Sequence, residues 1–138
     1  MLEGVLFSEE DAVTLYEDIG GEPTFDKLVK GFYDQVPDDD ILGPMYPEDD
    51  MAGAQDRLKW FLIQFWGGPT TYQERRGHPR LRMRHHMFDI DRAGAQRWLD
   101  LMNNSLAQID EQTIPPVYRA MLVDHFERVA AMLINMND

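Results

Sequence analysis

Residues 23–36 read PTFDKLVKGFYDQV. Phe25, Leu28, Val29, Phe32, Tyr33 and Val36 fall at i, i+3, i+4, i+7, i+8 and i+11, which is the spacing of one face of an α-helix. Pro23 and Thr24 open this helix, and Pro37 is expected to stop it. The same period extends in both directions. Upstream, Ser8 and Asp11 suit the start of a short helix carrying Val13, Leu15, Tyr16 and Ile19, which Gly20-Gly21 ends. Downstream, Gly43, Pro44 and Pro47 keep the chain short and bent. Asp49 and Asp50 suit the first turn of a third helix. Its face reads Met51, Ala54, Leu58, Phe61, Leu62 and Phe65, and Gly67-Gly68-Pro69 stops it after Trp66. Residues 67–79 read as a loop with no apolar period. Pro79 opens a short helix with Leu81, Met83, Arg84 and His85. Asp91 caps a long one whose face is Ala95, Trp98, Leu99, Met102, Leu106 and Ile109. Pro115-Pro116 open the last helix, which runs to about Asn135 with Leu122, Phe126, Val129 and Leu133. No segment shows the period of two that a strand requires. The class is therefore all-α, helix packed on helix.

The totals bound the function. A chain of 138 residues makes about one domain. No window reaches the roughly 18 apolar residues of a membrane span, so no integral membrane association is expected. The start MLEGVLFSEED has neither the basic region nor the apolar run of a signal peptide. Cysteine is absent, which excludes disulfides and thiolate metal sites and fits a cytoplasmic location. The net charge of −12 argues against nucleic acid as a partner. No exposed apolar stripe commits the chain to a homo-oligomer, and that question stays open.

Charge is unevenly spread. Five of the 13 basic residues, Arg75, Arg76, Arg80, Arg82 and Arg84, lie within residues 75–84 of an otherwise acidic chain. They are either a solvated loop paired with nearby acids or the seat of a specific anion. RLRMRHHMF (80–88) places two histidines directly behind them. Neighbours on a helix point about 100° apart, so only one can face a given pocket. Leu81 lies four residues before His85 and Phe88 three after it, so His85 shares an apolar face, whereas His86 shares its side with Arg82. His78 reads as an exposed loop residue and His125 as a surface or core residue of the last helix. A lone inward histidine is more often core than ligand, because side-chain metal sites need three or four donors. It becomes a metal ligand when a cofactor supplies the other donors. Haem does so, and its propionates need cations. On spacing alone Phe25, Phe32, Phe61, Phe65, Phe88 and Phe126 are core. Tyr33, Tyr46 and Trp98 differ, because each carries a polar hydrogen on or beside an apolar face.

IGGEPTFDKLVKGFYDQV (19–36), MYPEDDMAGAQDRL (45–58), QFWGGPTTYQERRGHPRLRMRH (64–85) and Trp98 together resemble the truncated haemoglobins, group II, the O type, over roughly residues 14–135. A bacterial, actinobacterial origin is expected on that resemblance. It implies a globin-like two-over-two helical sandwich enclosing haem b (iron protoporphyrin IX), formed by residues 13–138 after an N-terminal extension, 1–12. It implies His85 as the iron ligand and a distal cage of Tyr33, Tyr46 and Trp98. Ala54 matches the first distal-helix position, Leu58 and Phe61 the pocket lining, and Arg57, Tyr72 and Arg84 the propionate contacts. Leu81 is expected against the haem. His86 departs from the family pattern, which has a small residue there.

Such a cage implies tight retention of dioxygen and, from it, chemistry with nitric oxide or peroxide. Turnover needs electrons, and the chain has no GxGxxG or other flavin or nicotinamide motif, so an external reductase is expected. Two other classes remain: a non-catalytic protein that binds, stores, transports or senses oxygen, and a haem-free helical adaptor using its acidic surface.

Overall fold

The computed structural model describes residues 15–46, 48–77 and 90–134. Residues 15–18 are helical. After them come α1 (Glu22–Tyr33), three short 3-10 turns (Val36–Asp38, Gly43–Met45, Glu48–Asp50), α2 (Met51–Phe65), α3 (Thr71–Arg76), α4 (Arg92–Ala107) and α5 (Pro116–Leu133). No strand occurs among the described residues. None of their helices is long and apolar enough to cross a membrane. α1 packs on α2 and α4, and α4 packs on α5, so two helix pairs lie one over the other.

The expected face of α1 is the centre of the core: Phe25, Leu28, Val29, Phe32, Tyr33 and Val36 are all buried. Two small residues let α1 and α4 approach closely. A Cβ on Gly31 would lie 2.3 Å from Ser105 Oγ, and that hydroxyl donates to Leu28 O at 2.5 Å. Gln35 ties the end of α1 to α4 by donating to Leu101 O at 2.9 Å. At the start of α1, Gly20 and Gly21 both hold positive φ, 109° and 72°, to turn the chain sharply out of the preceding helix.

Four boundaries and one burial differ from the sequence reading. α1 ends at Tyr33, not at Pro37. Gln35 N bonds to Phe32 O, so the chain tightens before it meets a proline that has no N–H to offer to Tyr33 O. Asp49 and Asp50 stand in a 3-10 turn ahead of α2 rather than in its first turn. The Asp50 carboxylate makes no cap bond and pairs with Arg57 at 3.1 Å. The loop 67–79 contains α3, which buries only Tyr72 and so leaves no apolar period to read. α5 stops at Leu133 rather than near Asn135. Phe65, expected in the core, is 52% exposed, while Ile63 and Trp66 face inward instead. The expected cap of α4 is present, with Asp91 Oδ1 accepting from Gly94 N at 2.9 Å. The expected helix after Pro79, with Leu81, Arg84, His85 and His86, lies outside the described residues, as do Ser8, Asp11 and Val13.

Candidate functional site

Three elements converge on one cavity of about 350 Å³. The first is α2. Ala54, Arg57, Leu58 and Phe61 recur at helical spacing, and all four line the cavity. The second is the end of α1 with the turn that follows, which brings Tyr33, Met45 and Tyr46. The third is α4, which contributes Trp98 from the face that begins at Gly94 and Ala95. α5 adds Val129 and Leu133, and α3 adds Tyr72 and Arg76.

Tyr33, Tyr46 and Trp98, predicted to act together, stand together. The two phenol rings meet edge to face, with centroids 5.5 Å apart. Phe32 holds all three in place. It is fully buried, and its ring meets Tyr33 at 5.0 Å, Tyr46 at 6.2 Å and Trp98 at 6.1 Å, each edge-on. Phe126 supports Trp98 from α5 at 6.1 Å. Sequence spacing marked Phe32 only as core, because its supporting role comes from neighbours on other elements.

The hydrogen bonds of the cage can be assigned to donors. Tyr33 Oη donates to the Ala54 carbonyl at 3.2 Å. The Tyr46 phenol pairs with Trp98 and with Tyr33, and because the Tyr33 proton lies on Ala54 O the phenol pair uses the Tyr46 proton. An indole N–H only donates, so Tyr46 Oη is the acceptor from Trp98. Burial pushes the Tyr33 phenol well above its ordinary value, and Tyr46 adds to the rise while Arg57 opposes it. Burial raises Tyr46 too, opposed by its contacts with Trp98 and Tyr33. Both phenols therefore stay protonated across the physiological range and keep their donor character.

Two guanidinium groups, Arg57 and Arg76, lie on the same cavity. Of the cations that the resemblance implies, Arg57 lines the cavity, while Arg84 lies outside the described residues with Leu81 and His85. Arg75 turns away from the cavity and stacks on the Trp60 ring at 5.2 Å, which fastens α3 to α2. Tyr72 is buried, with its ring edge-on to Phe61 at 6.0 Å. Arg76 and Met45 were not singled out for this site. Arg76 was visible only as one of a run of arginines, and Met45 gave no signal, since its place depends on the bend around Gly43 and Pro44. The lining is thus an apolar slot with three aromatic polar groups in one cluster and cations on its border. Those features suit a flat, largely apolar, dianionic group such as haem.

His125 is buried, which decides between the surface and core readings. Its Nδ1 accepts from Trp66 Nε1 at 3.0 Å, and its ring stacks on Phe65 with centroids 3.9 Å apart and planes 15° apart. Desolvation lowers it to about 4, with Asp124 raising and Arg128 lowering the value, so the imidazole is neutral at pH 7.

Comparison with known proteins agrees with this geometry. The bacterial-like globin family model matches residues 14–132. The group 2 truncated hemoglobin YjbI of Bacillus subtilis (strain 168) is 35% identical over 123 residues, covering 89% of each chain. Among solved structures, a thermostable hemoglobin from the actinobacterium Thermobifida fusca is 43% identical. It aligns with a TM-score of 0.82 over 88% of this chain and 97% of that one. A truncated oxygen-avid haemoglobin from Bacillus subtilis is 34% identical, with a TM-score of 0.79 over 88% of this chain and 98% of that one.

Proposed function

The chain belongs to the bacterial-like globin family, as a group II truncated haemoglobin, and from that premise we propose that it retains dioxygen on haem b held by His85, through a Tyr33–Tyr46–Trp98 cage. The observation that carries this reading is the convergence of those three side chains, braced by Phe32, on an apolar cavity that also meets Arg57 and Arg76. When bound, the haem supplies an iron on which dioxygen takes up partial negative charge.

The chain's own groups do the rest. Leu58 and Phe61 exclude water from the cavity, and Ala54 leaves no imidazole in it. On the family resemblance, Arg57 and Arg84 would neutralise the two haem carboxylates, Tyr72 would orient one by a hydrogen bond, and Leu81 would lie against the ring. In the cage the Trp98 proton is directed at Tyr46 Oη and the Tyr33 proton at Ala54 O. The Tyr46 proton faces only another phenol oxygen, a weaker acceptor than a peptide carbonyl, so it is the one that can turn to the ligand, and Tyr46 is the principal donor. A hydrogen bond to a charged group contributes about 1.5–3 kcal/mol, which slows release by roughly one to two decades.

Slow release suits a protein that uses dioxygen in place more than one that delivers it. An oxygen-avid relative of the same fold supports that direction. The reactions consistent with it are conversion of nitric oxide to nitrate and reduction of peroxide, each supplied with electrons by a separate reductase. The competing reading is oxygen storage or sensing without turnover. A direct test compares absorption spectra of the haem-reconstituted protein with those of His85→Ala and His86→Ala. A Soret band and a reversible ferrous–oxygen spectrum, lost or altered only in His85→Ala, are expected. Colourless proteins in all three cases exclude haem binding. Consumption of nitric oxide that accelerates when a reductase is added separates turnover from storage.

A further inference from the structure

The buried pair Trp66–His125 takes no part in the cage, yet its geometry has chemical consequences. Trp66 is 1% exposed at the end of α2, and its backbone is fixed at both N and O, to Leu62 O and from Tyr16 N, at 3.1 Å each. Its indole N–H points at Nδ1 of His125, 3.0 Å away on α5. Accepting at Nδ1 requires that nitrogen to be unprotonated, so the neutral imidazole carries its proton on Nε2. A continuous set of rings surrounds the pair. Phe61 lies 6.0 Å from His125 and forms part of the cavity wall. Phe65 stacks on His125 at 3.9 Å, meets Trp66 edge-on at 5.0 Å, and is 52% exposed. The cavity and the outer surface are thus joined through aromatic rings, with an indole–base pair midway.

The cage side chains lack an equivalent base. The Tyr33 hydroxyl is directed at a peptide carbonyl, Ala54 O, which accepts a hydrogen bond but does not keep a proton. The Trp98 N–H is directed at a phenol oxygen. Losing an electron makes an indole or phenol strongly acidic, so oxidation is easiest where a base stands in line with the departing proton. Among these side chains, Trp66 is the one aimed at an imidazole nitrogen.

We propose that Trp66 is a redox-active residue that gives an electron to peroxide-oxidised haem in the cavity and passes its indole proton to His125, so that small aromatic or enediol reductants are oxidised at the Phe65 surface without entering the cavity. This rests on the haem reading above. One electron leaves the indole for the oxidant, which is reduced by one. The indole N–H bond breaks and an N–H bond forms at His125 Nδ1. The products are a neutral indolyl radical and an imidazolium. A phenol- or ascorbate-class donor at Phe65 returns the electron, becoming its own one-electron-oxidised radical and releasing its proton to solvent, while His125 returns its proton to the indole nitrogen.

The test uses the full chain loaded with haem. Its Soret band is recorded first. The protein is then treated with one equivalent of hydrogen peroxide, freeze-quenched for electron paramagnetic resonance, and digested for mass mapping of oxidised residues. A neutral tryptophanyl signal and oxidation products at Trp66 are expected. His125→Gln keeps a hydrogen-bond acceptor for the indole but removes the base. It is expected to leave the Soret band in place, lower the Trp66 signal several-fold and move products to tyrosine. Products at Trp98, Tyr33 or Tyr46 in the unsubstituted protein, or an undiminished Trp66 signal in His125→Gln, overturn the proposal while the haem reading stands. The absence of a Soret band overturns both.

Discussion

At the scale of single residues, hydrogen-bond direction and desolvation decide what each group can do. Tyr46 and Tyr33 look equivalent in composition, but the Tyr33 proton is already directed at Ala54 O. Tyr46→Phe is therefore expected to speed oxygen dissociation by about 10- to 100-fold, the worth of one hydrogen bond to a charged group. Tyr33→Phe is expected to have a smaller effect, exerted through the position of Tyr46. Stopped-flow dissociation rates measure both, and equal, unchanged rates rule out the cage. His125 makes a second prediction. Its folded value, about 4, lies below the ordinary 6.5. Below 6.5 the unfolded chain takes up a proton that the folded chain refuses, so the stability present above 6.5 falls as pH drops towards 4. At 1.36 kcal/mol per unit the loss is on the order of 3 kcal/mol. The groups acting on the ring are Asp124, which favours the charged form, Arg128, which opposes it, and the aromatic rings of Phe61, Phe65 and Trp66. Urea midpoints of the native protein and His125→Gln from pH 7 to pH 4 isolate this contribution, since the carboxylates common to both cancel. The two curves are expected to converge with acid, and parallel curves refute the assignment.

At the scale of elements, the crossing of α1 and α4 positions the cage, because Tyr33 leaves one helix and Trp98 the other. That crossing depends on Gly31. A methyl group there meets Ser105 Oγ at 2.3 Å, inside contact distance. Gly31→Ala is expected to cost about 1–3 kcal/mol by overpacking. Adding Ser105→Ala removes the hydroxyl and leaves the Ser105 Cβ position at 3.1 Å, so it is expected to restore part of the loss. Thermal unfolding of the two single variants and the double variant measures the coupling, and strictly additive losses exclude this contact as the cause. The elements also show what a sequence reveals. The α1 face and the Asp91 cap were legible because period and capping are local signals. The cage members and Arg57 were named through resemblance and a polar hydrogen on an apolar face. α3 was not legible, because a six-residue helix burying one side chain has no period. Phe65, expected in the core, is exposed while Trp66 is buried at the end of α2, where packing against α5, not spacing within α2, decides which ring turns inward. The tightening of α1 before Pro37 was likewise hidden, since a missing donor is felt one turn earlier in the chain.

At the scale of the whole molecule, a net charge of −12 governs who reaches the cavity. On the proposed reading electrons come from outside, through encounter with a donor, and a field of one sign sets the frequency of such encounters. Exposed acids stand close by. Glu48, Asp49 and Asp50 lead directly into α2, whose Arg57 and Leu58 line the cavity. Arg57 is partly neutralised by Asp50 at 3.1 Å, and Arg97 is held between Asp39 and Asp40. Arg57 and Arg97 are thus matched by carboxylates, and the excess negative charge of the chain is left to act at long range. Reduction of the ferric protein by a cationic donor is therefore expected to outpace reduction by an anionic donor of equal potential. The advantage should fall towards unity as salt rises from about 0.01 M to 1 M, where the screening length shrinks from about 30 Å to 3 Å. Stopped-flow reduction with paired small complexes of opposite charge gives the ratio directly. A ratio that favours the anionic donor at low salt, and decays with salt, means that the arginines bordering the cavity, rather than the acidic surface, steer the partner. The reductase would then present an acidic face, whereas the net charge calls for a basic one.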